Sequence, residues 1–131
     1  MRKVLVSALA GLLGWTVAAQ AAPITVQNFG GAVGGAASCP QTVKFTFLVH
    51  GDQGLNVTYR FVRSDGGSTG PYPMTIGVNP PGGGAGISPT QYSWTLGDRR
   101  ALPSFKGWVK LEVLTPKKVT SDPYDFAIKC T

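Results

Sequence analysis

The residues in this chain that could do chemistry are few and poorly placed for it. His50 is the sole histidine and lies two positions before Asp52. A His–Asp pair can orient an imidazole toward a hydroxyl such as Ser64, Ser68 or Ser88, but this separation is too short for that geometry. The six acids are Asp52, Asp65, Asp98, Glu112, Asp122 and Asp125. Hydrolysis of a glycosidic bond needs two carboxyls held at a fixed separation in a cleft. Four of these six sit among turn-forming residues, where Asp is favoured for backbone reasons alone. No dense Asp/Asn/Gly loop points to calcium. Cys39, Cys130 and His50 do not make a zinc site. Gly82–Gly86 is followed by neither Lys-Ser/Thr nor a helix, which excludes a P-loop. The expectation is a protein with no catalytic residue, no metal and no cofactor, and not an enzyme.

The residues left to carry function are those suited to contact. Trp108 alternates onto one face with Lys110 and Glu112, and Arg99 and Arg100 stand in the polar stretch Asp98–Ser104. An exposed aromatic flanked by charges can stack on a sugar ring or anchor a protein partner. The alternative is a Trp108 covered by a loop or a neighbouring strand. The stretches Asn79–Gly86 and Asp98–Ser104 are further contact surfaces, since binding residues concentrate on loops over a rigid scaffold. Asn56-Val57-Thr58 fits a glycosylation sequon and reads as chance.

These residues need a scaffold, and the chain divides to provide one. Met1–Ala22 has a basic start, an apolar run from Val4 to Ala19 and small residues before Pro23, the pattern of a signal peptide cut near Ala21 or Ala22. The apolar run is shorter than a membrane span needs, and no second such run follows, so no span is expected in the mature chain. Residues 23–131 form a single domain, large enough for one core. Without Arg2 and Lys3 the chain keeps ten Lys/Arg against six Asp/Glu, a net of +4. Those cations are scattered, and nucleic-acid binding would want them clustered. Two cysteines in an exported chain read as one disulfide, Cys39–Cys130. The expected location is secreted or periplasmic, and the expected state is a monomer.

Hydrophobic alternation with period two marks the strands. Val43, Phe45, Phe47 and Val49 share one face of Thr42–His50. Val57, Tyr59 and Phe61 share one face of Asn56–Arg63, and Tyr92, Trp94 and Leu96 one face of Ser88–Gly97. Val109, Leu111 and Val113 do so in Gly107–Leu114, and Tyr124, Phe126 and Ile128 in Tyr124–Cys130. Pro23–Phe29 is a short start, and Tyr72–Val78, with Pro71 and Pro73 at its head, is an edge strand because proline cannot donate to a ladder. Gly30–Ser38 is a loop, or a linker that lets the first strand cross to another sheet. The expected fold is all-β: a seven-stranded, immunoglobulin-like antiparallel sandwich, with a closed barrel as the alternative.

The order Cys39-Pro40, Val57-Thr-Tyr59-Arg-Phe61, Trp94-Thr-Leu96-Gly97, Gly107-Trp108-Val-Lys-Leu111-Glu-Val113 and Phe126-Ala-Ile-Lys-Cys130 resembles the small secreted immunoglobulin-like or fibronectin type III-like domains of bacteria. That resemblance spans Cys39–Cys130 and implies a non-catalytic module for binding, adhesion or spacing; the expected partner, a separate hypothesis, is an envelope or extracellular protein or glycan. It departs from antibody domains, because no Cys…Trp…Cys spacing is present and the cysteines lie at strand ends. A second expectation is a small inhibitor that presents a rigid loop, Asp98–Ser104 or Asn79–Gly86, to a secreted hydrolase, and a third is an uncharacterised enzyme.

Overall fold

The computed structural model describes residues 22–30, 34–77 and 85–131. The leader expected over residues 1–22, apart from Ala22, lies outside these, as do residues 79–84 of the expected Asn79–Gly86 contact loop. The described residues form nine strands and no helix: β1 (Thr25–Phe29), β2 (Ala36–Ala37), β3 (Gln41–Asp52), β4 (Asn56–Arg63), β5 (Ser68–Thr75), β6 (Ala85–Leu96), β7 (Ser104–Thr115), β8 (Val119–Thr120) and β9 (Tyr124–Cys130).

They make two sheets. One has the order β1-β3-β6; the other has β2-β9-β7-β4-β5, with β8 continuing beside β7. The aromatic contacts between β3 and β9 and between β4 and β6 bring the two sheets together as a β-sandwich. Two open sheets replace the closed barrel. All pairings are antiparallel except the two-residue β2–β9 ladder, which is parallel. Ala36–Ala37, within the expected Gly30–Ser38 loop, is thus a short strand of the second sheet.

The sandwich forms because each long strand offers one apolar face. Val43, Phe45, Phe47 and Val49 of β3 are fully buried, as are Val109, Leu111 and Val113 of β7. Phe45 meets Tyr124 and Phe126 edge-on, with ring centroids 5.4 and 5.2 Å away, and Phe61 stacks on Tyr92 at 4.9 Å. Edge-to-face contact suits the ring quadrupole, so these aromatics lock the facing sheets laterally as well as drying the core.

β5 is an edge strand, as its prolines require, but it runs over Ser68–Thr75 and not Tyr72–Val78. Its earlier start is set by the turn at Ser64–Gly67, where Asp65 Oδ1 accepts the Gly67 amide at 2.9 Å. Ile76 lies past the strand end, fully buried, with its amide on the Leu55 carbonyl. β7 begins three residues earlier than expected, because Ser104, Phe105 and Lys106 pair with Lys129, Ile128 and Ala127. The Thr115–Pro123 turn region includes β8. Cys39 and Cys130 are bonded, with Cα atoms 5.3 Å apart, and tie the start of β3 to the end of β9 across the two sheets.

Candidate binding face on strands β7 and β9

The outward side of the larger sheet is built by alternation. Val109, Leu111 and Val113 point inward on β7, which turns Lys106, Trp108, Lys110 and Glu112 outward. On β9 the inward Phe126 and Ile128 turn Asp125, Ala127 and Lys129 outward, all three exposed. Register then places Trp108 opposite Asp125, Lys106 opposite Ala127 and Ser104 opposite Lys129.

Trp108 is half-buried, between the two expectations of a free ring and a covered one. Its strand is pinned to the β4 end, since Ser64 Oγ accepts the Trp108 amide at 3.1 Å and the Ser64 amide donates to the Trp108 carbonyl at 3.0 Å. Lys110 Nζ lies 4.6 Å from the ring centroid, a cation–π contact. A shallow depression of about 310 Å³ is lined by Lys106, Gly107, Trp108, Asp125 and Phe126. A second depression of about 370 Å³ continues from Lys106 to Ser104, Ala127 and Lys129. The small Ala127 side chain keeps this surface low between the longer ones. Among the described residues, no carboxylate lies within ion-pair distance of Lys106, Lys110 or Lys129.

Glu112 shares the face by alternation but not by availability. It is buried, with Arg60 Nε donating to Oε1 at 2.7 Å, Thr120 Oγ1 donating to Oε2 at 3.3 Å and Lys118 Nζ 3.6 Å from Oε2. Burial pushes its carboxyl up, and the bond and charge of Arg60, with Lys118 and Thr120, outweigh this and hold it below the usual carboxylate range. It is a structural knot where β4, β7 and β8 meet.

Arg99 and Arg100 are exposed in a closed turn after β6. Asp98 Oδ1 accepts the Arg100 and Ala101 amides, both at 2.8 Å, and Asp98 and Leu102 exchange backbone bonds at 2.9 Å. The amides of Ala101 and Arg100 hold the Asp98 carboxyl below its ordinary range. This turn stands at the disulfide end, since the adjacent Gly97 abuts both cysteine sulfurs and the Cys130 amide donates to the Pro103 carbonyl. The structure therefore brings Trp108 and Lys110 into contact, withdraws Glu112 from the surface, and leaves Arg99 and Arg100 in a separate exposed turn at the disulfide end.

Lys106, Lys129 and Ala127 belong to this face and were not singled out in the sequence. The signal for Lys129 and Ala127 was present in the alternation of Tyr124–Cys130. Lys106 needed the pairing of Ser104–Lys106 with β9, which polar residues beside Pro103 concealed. His50 is half-buried and shares a 3.2 Å bond between Nε2 and Gln27 Oε1; no serine hydroxyl is among its partners. Among the described residues, no group of three His, Cys, Asp or Glu is placed to hold a metal ion, and no helix is long and apolar enough to cross a membrane. No protein-family model, curated protein or solved structure matches this chain.

Proposed function

We propose that this protein is an exported, non-enzymatic immunoglobulin-like module that binds an acidic polysaccharide along the outer face of β7 and β9. The observation that carries the reading is the set of three lysines without carboxylate partners, Lys106, Lys110 and Lys129, around the half-buried ring of Trp108 and the small floor of Ala127. A ring face beside cations suits a sugar that carries carboxylates: the apolar side of the pyranose covers the indole while the acid groups meet the ammoniums. The seven residues of strand from Ser104 to Lys110 span about 20 Å, the reach of a short oligosaccharide. The excess of cations over acids in the mature chain supports attraction of such polymers. The Cys39–Cys130 bridge is compatible with an oxidising compartment such as the periplasm or the cell exterior.

The hydrolase-inhibitor reading has less to stand on. A segment that fills a hydrolase cleft as a substrate would is extended, whereas Asp98–Leu102 is a turn closed on itself by two reciprocal backbone bonds.

The experiment is calorimetric titration of the disulfide-intact protein with polygalacturonate and with a neutral glucan of similar length. Binding to the acidic polymer alone is expected. It should weaken about tenfold between 0.05 and 0.5 M NaCl, because exposed charges are then screened. Trp108→Ala and the double variant Lys106→Gln/Lys129→Gln should each weaken it while a cooperative thermal transition is retained. Equal affinity of both variants and the wild type would refute this placement of the site. Absence of binding to the acidic polymer would refute the ligand class.

A further inference from the structure

Ala22 and Asp52 are joined by a contact that the strand pattern does not require. The Ala22 nitrogen donates to Asp52 Oδ1 at 2.9 Å, in a partly buried setting. Both ends are fixed. Thr25 sits opposite His50 in the β1–β3 ladder, which carries the chain back to the end of β3. Ile24 packs on the core and lies beside Gly51. The Asp52 carbonyl accepts the Leu55 amide at 3.2 Å, closing the turn into β4. β1 is an edge strand of five residues, so its hold on the sheet depends on what happens at its ends.

The sequence leaves two places for leader removal, after Ala21 or after Ala22, and the contact distinguishes them. A cut after Ala22 would discard the nitrogen that Asp52 holds and leave the secondary amine of Pro23 as the terminus. A cut after Ala21 keeps that nitrogen and changes it from a neutral amide to a cation. We propose that leader removal hydrolyses the Ala21–Ala22 bond and that the released α-ammonium of Ala22 forms an ion pair with the Asp52 carboxylate that fastens β1 to the sheet. Water supplies the balance: the Ala21 carbonyl carbon gains the oxygen and leaves with the leader as a carboxylate, and the Ala22 nitrogen takes the protons as an ammonium. A charge-assisted bond then replaces a neutral donor at the same atom. Maturation in this way completes the fold and does more than trim it.

The inference rests on the export reading, and two arms separate their failures. In the first, the protein is expressed with its own leader and the exported form is weighed intact. A mass for residues 22–131 with one disulfide is expected. A chain starting at Pro23 or further along would overturn the inference while leaving export standing, and a mass for residues 1–131 would overturn export itself. In the second arm, the chain beginning at Ala22, which contains every described strand, is compared with its Asp52→Asn variant, each with a free and with an acetylated α-amine. Asp52→Asn should lower Tm by about 4 °C with the free amine, and by less than half of that after acetylation, which keeps the N–H and removes the charge. An equal loss in both forms would overturn the ion pair.

Discussion

Replacing both cysteines by alanine, Cys39→Ala/Cys130→Ala, should bring this domain close to the limit of stability. The bridge joins residues 91 positions apart, so the unfolded chain carries a closed loop of nearly the whole domain. With a loop of that length the chain-entropy relation gives about −15.6 cal/mol/K, or about 4.6 kcal/mol at 25 °C. A domain of this size has roughly 5–15 kcal/mol in all, so the bridge accounts for a third or more of it. At about 4–8 °C per kcal/mol, Tm should fall by about 20 °C or more. Urea unfolding with and without the bridge is the assay. Two readings are expected together: a lower midpoint, and a higher dependence on urea, because the open chain exposes more surface when it unfolds than the looped one. A stability loss under about 1 kcal/mol with an unchanged urea dependence would refute the reasoning. It would mean that the β3–β9 junction is held by its packing alone.

Two further substitutions probe the scaffold. Glu112→Gln should cost about 1–2 kcal/mol at pH 7, the scale of a hydrogen bond to a charged group reduced by the 41% and 68% side-chain exposure of Arg60 and Lys118. Because the folded pKa of Glu112 is lowered, this contribution is present above its ordinary value of 4.5 and is lost as the pH falls through the folded value; urea melts of both proteins from pH 7 to pH 3 should therefore converge, and a gap that stays constant would contradict the Arg60 pair. Gly97→Ala should cost about 2–4 kcal/mol from its backbone conformation and overpacking together: φ is +102°, and a Cβ would stand 2.7 Å from Cys39 Sγ and 2.9 Å from Ile128 Cδ1. Thermal unfolding checks it, and a loss below about 0.5 kcal/mol, the level of an ordinary surface change, would mean the junction yields easily.

The parts of this fold legible in the sequence are those governed by local chemistry. Period-two alternation places Val43–Val49, Val57–Phe61, Trp94, Val109–Val113 and Phe126–Ile128 on inner faces, where the structure has them. Pro71 and Pro73 announce an edge strand because a missing N–H is a local fact. The two cysteines pair with each other as expected. What escaped depends on partners far away in the chain. Ala36–Ala37 becomes a strand only because Lys129 and Cys130 lie beside it. Ser104–Lys106 extends β7 only because β9 runs past it. Glu112 reads as a surface acid, since alternation reports direction and not cover, and it is Arg60, Lys118 and Thr120 that enclose it. The same gap left Trp108 undecided between exposed and covered. It is half-buried, with Lys110 against the ring and a shallow depression beside it.

The most direct test of the account is to follow the backbone amide resonances of the disulfide-intact protein during titration with a short oligogalacturonate. The account predicts shifts confined to residues 104–110 and 124–129, greatest near Lys106, Trp108 and Ala127, with the indole N–H of Trp108 moving and that of buried Trp94 still. Shifts centred on the outer face of β1, β3 and β6, or none at saturating ligand, would contradict it.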